Sequence, residues 1–268
     1  MDGNLRSDIM TLKHDAQTDF LELSGGHRLA YKRLAGRQPT IVWLSGFKSD
    51  MTGRKATHLA DWAHCNGKAF VAFDYFGHGK SSGEFQDGTI ARWREDTLRV
   101  IDEIAQGPLV LVGSSMGAWL AVLAAQARSE RVAAMVLIAP AVDFITRLLV
   151  PALSDEAREA IESTGRWQRP SAYGDGPYPI TKRLLEDGQR WSLLDGPIVF
   201  EGPVRILQGL QDPDIPWQHA IAVAQALTAK DVQIVLIKNG DHRLSRNPDL
   251  EAIAERVAEV SAMPASYV

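Results

Sequence analysis

Along this chain short apolar runs alternate with longer stretches in which apolar residues recur at helical spacing, the pattern of a parallel sheet covered by helices on both faces. The runs predict eight strands: Asp19 to Leu23, Arg28 to Leu34, Thr40 to Leu44, Ala69 to Tyr75, Leu109 to Val112, Ala134 to Ile138, Val204 to Gln208 and Val232 to Ile237. Gly25 and Gly26 separate the first two so closely that an antiparallel hairpin is expected there. Helices are predicted over Thr57 to Asn66, Ile90 to Gln106, Met116 to Ala127, Trp217 to Thr228 and Leu250 to Ser261. The interval from Val142 to Val199 is too long for a connection, since such links usually run to roughly 2–6 residues. Its amphipathic pieces FITRLLVPAL, DEAREAIEST and ITKRLLEDG flank the Pro- and Gly-rich QRPSAYGDGPYP, so residues 142–199 read as a small helical cap inserted after strand six. Residues 1–141 and 200–268 then form one α/β core.

Composition narrows the picture. A length of 268 residues suffices for one large core, and no apolar stretch reaches the roughly 18 residues of a membrane span. The net charge of -4 is spread without a basic block, which argues against nucleic acid or an anionic lipid surface as partner. The first residues, MDGNLRSDIMTLKHDAQTDF, mix both charge signs and have neither the apolar core of a secretory signal nor an arginine-rich, acid-poor leader, so a cytoplasmic protein is expected. The single cysteine, Cys65, excludes a disulfide frame or cysteine cluster and is expected to be a buried structural thiol.

Candidate chemistry centres on LVLVGSSMGAWLAVLAAQA, where Gly113-Ser114-Ser115-Met116-Gly117 stands between an apolar strand and an Ala-rich helix. This is G-x-S-x-G in its required context: a sharp strand-to-helix turn lifts the serine above the sheet, and side chains at the flanking positions would strike backbone. Ser115 is the candidate nucleophile. A serine hydroxyl needs a base to take its proton and a carboxylate to orient that base, and on such a sheet the chain order is Ser, then Asp or Glu, then His. His242, in KNGDHRLSR directly after the last strand, is the candidate base. Two aspartates compete behind the seventh strand, in Gly209-Leu210-Gln211-Asp212-Pro213-Asp214-Ile215-Pro216. Their spacing from Gly209 and Pro216 favours Asp212 over Asp214. Asp241 is too near His242 in sequence and is expected to brace its loop.

Backbone amides of Met116 and Phe47 are the expected oxyanion donors, the latter because Gly46 permits a tight turn after the third strand. Ser45 stands where many related chains carry a histidine. The run Asp74-Tyr75-Phe76-Gly77-His78-Gly79-Lys80-Ser81 reads as a structural turn. A phosphate-binding loop would need glycine where Asp74 stands. His78 lies in that turn, close enough to the expected site to matter.

These residues place the chain in the α/β-hydrolase fold, as an eight-stranded, mostly parallel sheet with a cap. Over about Leu29 to Arg243, the stretches WLSGFKSDMTGRKA, FDYFGHGKSSG, LVGSSMGAWL, RWQRPSAY, DPDIPW and GDHR resemble the mitochondrial palmitoyl-protein thioesterase family, also known as mycophenolic acid acyl-glucuronide esterases, and its bacterial relatives. The most specific is G-F-x-S-D-M-x-G-x-K-A. The resemblance implies a serine esterase or thioesterase with Ser115, Asp212 and His242 as triad, acting on a small acyl ester or thioester without metal or organic cofactor. Leu148, Trp167 and Tyr173 of the cap are expected to line the acyl site. Lactone or C–C bond hydrolysis on the same triad, or a non-catalytic binding protein on this scaffold, are the other readings.

Overall fold

The computed structural model describes residues 17–171 and 176–263. One eight-stranded sheet organises the chain, in the order β1-β2-β4-β3-β5-β6-β9-β10. Six of its strands are parallel: β3 (Arg37–Leu44), β4 (Lys68–Phe73), β5 (Leu109–Ser114), β6 (Val132–Ile138), β9 (Val204–Gly209) and β10 (Val232–Ile237). The hairpin partners β1 (Asp19–Glu22) and β2 (Arg28–Leu34) pair antiparallel with each other, and β2 runs antiparallel to β4. All eight predicted strands form. β3 starts earlier than expected, at Arg37, and a register break between Arg37 and Ile41 accommodates Pro39, which has no N–H to give the ladder.

Helices α1 (Arg54–Cys65) and α7 (Asn247–Ala262) cover one face, while α2 (Ile90–Glu103) and α3 (Met116–Ala127) cover the other. The central strand β5 shows why the sequence reads as a continuous apolar run: Leu109 and Leu111 enter one core and Val110 and Val112 the other. α6 (Trp217–Ala226) bridges β9 and β10. Cys65 is exposed, contrary to expectation. The buried stripe of α1 is Ala56, Leu59 and Ala63, and Cys65, at the helix end, falls off it.

Between β6 and β9 lie a short π-helix (Ile145–Leu149), α4 (Asp155–Thr164), α5 (Lys182–Arg190) and a two-stranded antiparallel hairpin, β7 (Arg166–Arg169) with β8 (Tyr178–Thr181). The expected helices are present, and the hairpin is additional. Ser154 caps α4 by accepting from the Ala157 amide, and Gly165 ends it with φ 77°, a left-handed turn that feeds β7. The insertion is tied at both ends. Asp143 accepts from the amides of Leu193 (2.8 Å) and Leu194 (2.7 Å), and Asp187 on α5 accepts from the Ala91 amide at the start of α2 (2.7 Å).

At the β5–α3 turn the two motif glycines are contact surfaces. A Cβ on Gly113 would lie 2.3 Å from the Gly117 carbonyl oxygen, and one on Gly117 would lie 2.1 Å from that of Leu44. Helix α3, β5 and β3 therefore meet backbone to backbone. Gly117→Ala is expected to destabilise the fold by about 3 kcal/mol, read as a fall in Tm of roughly 6–12 °C in thermal denaturation; an unchanged Tm would refute this close approach.

Candidate active site

Ser115 stands at the apex of the β5–α3 turn with φ 56° and ψ -119°, a strained conformation for a residue bearing a Cβ. Hydrogen bonds hold it there: its amide donates to Ile138 O (2.8 Å), and its carbonyl accepts from the amides of Ala118 (3.0 Å) and Ala141 (3.2 Å).

The loops after β9 and β10 are joined beside it. A Cβ on Gly209 would be 2.3 Å from the Gly240 carbonyl oxygen, and the Gln211 amide donates to that same carbonyl at 2.9 Å. This contact sets Asp212, on one loop, against His242 on the other. His242 Nδ1 donates to Asp212 Oδ2 at 2.8 Å, and Nε2 lies 3.1 Å from Ser115 Oγ. With Nδ1 protonated, Nε2 is the acceptor for the serine hydroxyl. The three residues predicted from chain order thus form one continuous hydrogen-bonded line.

The Asp212 carboxylate is fully buried and saturated with donors. Besides His242 it accepts from Gln208 Nε2 (3.1 Å) and the amides of Asp214 (2.9 Å) and Ile215 (2.8 Å). Burial alone would raise its pKa. The His242 hydrogen bond and charge together with the two amides outweigh burial, and the group is held below the usual carboxylate value. The competing Asp214 contributes its amide to Asp212 and lines the cleft. Asp241 braces the loop, as expected, by accepting from the Leu244 amide (2.9 Å).

Gly46 and Phe47 follow one residue after β3 and lie against Ser115, where a Cβ on Gly46 would sit 3.3 Å from Ser115 Cβ. The next residue, Lys48, has φ 56°, and its amide donates to His78 Nε2 at 3.2 Å. His78 Nδ1 in turn donates to Phe76 O (3.1 Å). Burial depresses the His78 pKa to about 4, although the Phe76 contact and Asp50 oppose it, so the imidazole stays a neutral acceptor. An imidazole from the β4 turn therefore buttresses the loop in which Ser45 replaces the expected histidine. The turn is structural as read: Asp74 accepts from the amides of Met51 (2.7 Å) and Lys80 (2.8 Å). Gln208 and His78 were not assigned these roles from sequence, because both contacts join segments separated along the chain or depend on a loop's closure.

A cleft of about 710 Å³ opens over Ser115 and His242. Phe47, Phe144, Leu148, Leu149, Leu153 and Trp167 form its apolar side, which includes two of the three cap residues singled out from sequence, Leu148 and Trp167. Phe144 lies in the cleft wall and also packs edge-on to Phe47 and Trp119, whereas Ile145 is buried in the core. Tyr173 lies outside the described residues. Tyr178 of β8, not singled out from sequence, lines the cleft.

A serine on a strained elbow, with aspartate and histidine on the loops after the last two strands of the sheet, defines an α/β hydrolase. Residues 36–176 match the Hydrolase_4 family, described as serine aminopeptidase, S33. The mitochondrial palmitoyl-protein thioesterase ABHD10 of Mus musculus is 38% identical, the match covering 91% of this chain and 82% of that protein. The mouse ABHD10 structure superposes with a TM-score of 0.85 at 38% identity, covering 91% of this chain and 98% of that one. A solved structure from Agrobacterium vitis superposes with a TM-score of 0.88 at 40% identity with the same coverage. The chain belongs to this family of serine hydrolases, a class of ester hydrolases. Among the described residues no helix is long and apolar enough to cross a membrane.

Proposed function

We propose that this chain hydrolyses acyl esters and acyl thioesters through an acyl-enzyme on Ser115. The line of hydrogen bonds from Asp212 through His242 to Ser115 carries the reading. His242 takes the Ser115 proton as Oγ attacks the acyl carbonyl, and Asp212 holds the imidazole in the tautomer that can accept it. The amides of Phe47 and Met116 receive the oxyanion. His242 then gives the proton to the leaving alcohol or thiol. Water, deprotonated by the same base, releases the acid. The apolar side of the cleft suits an extended acyl chain, and the palmitoyl-protein thioesterases among the relatives support the thioester reading.

Labelling with a fluorophosphonate probe tests the chemistry: an adduct on Ser115 is expected, and an unlabelled wild-type protein would sink the proposal. Chain length tests the acyl site. Trp167→Ala is expected to raise KM for a long-chain p-nitrophenyl ester by about tenfold while leaving the acetyl ester nearly unchanged, since only the long chain loses buried contact. Equal effects on both esters would remove Trp167 from the acyl site.

A further inference from the structure

The segment G-F-x-S-D-M-x-G-x-K-A has a use beyond the Gly46–Phe47 turn. Its middle is wound tightly. Ser45 Oγ donates to Asp50 O (3.1 Å), the Thr52 amide donates to Asp50 Oδ1 (2.7 Å), and the Met51 amide donates to Asp74 Oδ1 (2.7 Å). This winding starts α1 at Arg54 and turns its first residues toward the loop that carries His242. Arg54 Nη2 reaches Asn247 Oδ1 at 2.6 Å, and Lys55 Nζ donates to the carbonyl oxygen of Arg243, one peptide beyond His242. These partners are 193 and 188 residues apart in sequence.

We propose that Lys55 is a positioning residue for the hydrolysis, setting the reach of His242 to Ser115 through its hydrogen bond to the Arg243 carbonyl. The inference rests on the Ser115–His242–Asp212 reading above. His242 must keep Nε2 near 3.1 Å from Ser115 Oγ on a loop whose ties include the Leu244 amide to Asp241, the Ser245 hydroxyl to Arg243 O, the Gly240 amide to Ile237 O and, from the loop after β9, the Gln211 amide to Gly240 O. Leu244 has φ 42°, so the chain just past His242 is in a conformation that needs outside support. A charge-assisted donor on the rigid first turn of a helix supplies it; the Ser245 hydroxyl is local to the loop and moves with it.

The charged groups around Lys55 define a pH signature. Arg54 precedes it on α1, Arg243 and Asp241 face it from the His242 loop, and Asp249 approaches from the first turn of α7, itself paired with Arg246 (2.7 Å). Burial, reinforced by Arg243, lowers the Lys55 pKa to about 8, with Asp241 and Asp249 acting in the opposite direction. Lys55 is charged below that value. As pH rises through it, the amine becomes neutral and the hydrogen bond loses its charge assistance.

The experiment measures kcat and KM for a p-nitrophenyl ester from pH 6 to 10 in wild type, Lys55→Met and Lys55→Arg, each normalised to fluorophosphonate-titratable Ser115. Normalisation separates reach from folding: a merely structural lysine changes the titratable fraction and leaves kcat per site intact. Wild type is expected to lose kcat along an alkaline limb centred at about pH 8. Lys55→Met is expected to lower kcat about 10- to 100-fold at pH 7 with KM within about twofold, and to lack the limb. Lys55→Arg, charged throughout, is expected to retain kcat and also to lack the limb. A Lys55→Met kcat per titratable site within about twofold of wild type, or the same limb persisting in either variant, overturns the role of Lys55 while Ser115 still labels. A wild-type protein that fails to label overturns the catalytic reading itself.

Discussion

Ser115→Ala is expected to lower kcat/KM for a chromogenic ester about a million-fold and to abolish the fluorophosphonate adduct, with the far-ultraviolet circular dichroism spectrum unchanged. The substitution removes one oxygen and leaves Gly113, Gly117 and the backbone contacts of the elbow in place. Alanine at φ 56° bears the same backbone strain as serine, because the penalty arises from Cβ. The fold is therefore not expected to relax. What disappears is the nucleophile 3.1 Å from His242 Nε2, so any residual rate reflects oxyanion stabilisation and substrate binding alone. A variant retaining a tenth or more of the wild-type rate would show that another group performs the attack.

The second large effect is expected at Asp212, and the local donors explain its size. Asp212→Asn should reduce kcat about 10,000-fold, as loss of the orienting acid does in other serine hydrolases. Oδ1 is already committed to the amides of Asp214 and Ile215, so the carbonyl of an asparagine would take that side. Its amide nitrogen would then face both Gln208 Nε2 and His242 Nδ1, where Asp212 Oδ2 accepts from both. Donor would meet donor at Gln208. At His242 the imidazole would shift its proton to Nε2 in order to accept, and that tautomer cannot take the proton of Ser115. Asp212→Glu is expected to recover part of the loss, since a carboxylate accepts from all these donors even when displaced. The tautomer change is measurable by imidazole nitrogen chemical shifts. A normal Nδ1-protonated His242 in Asp212→Asn would refute the account.

Much of this protein was readable one segment at a time. Leu109 to Val112 could be recognised as a central strand because both faces of a parallel sheet are covered and every position is therefore apolar. Gly113 and Gly117 could be recognised because the turn they flank excludes any Cβ, a demand visible in five residues. Asp212 and His242 could be ranked by their places after the last two core strands, since the sheet delivers those loops to one edge. What failed, failed for physical reasons. The hairpin of Arg166–Arg169 with Tyr178–Thr181 is stabilised by pairing across an intervening Pro- and Gly-rich segment, and neither half has an apolar run to announce it. Cys65 was misjudged because its exposure depends on which stripe of α1 meets the sheet.

By itself, then, the amino-acid sequence determined the α/β architecture, the elbow serine and the order of its partners, because local sterics and hydrophobic period impose those features on short stretches. Tertiary structure decided whether the three groups meet, which carbonyls and amides hold them, and what closes over them. His78 beneath Lys48, Gln208 beneath Asp212 and Lys55 against the Arg243 carbonyl are examples. The first and last join segments 30 and 188 residues apart, the second depends on how the loop after β9 closes back on its strand, and no periodicity along the chain encodes such a contact.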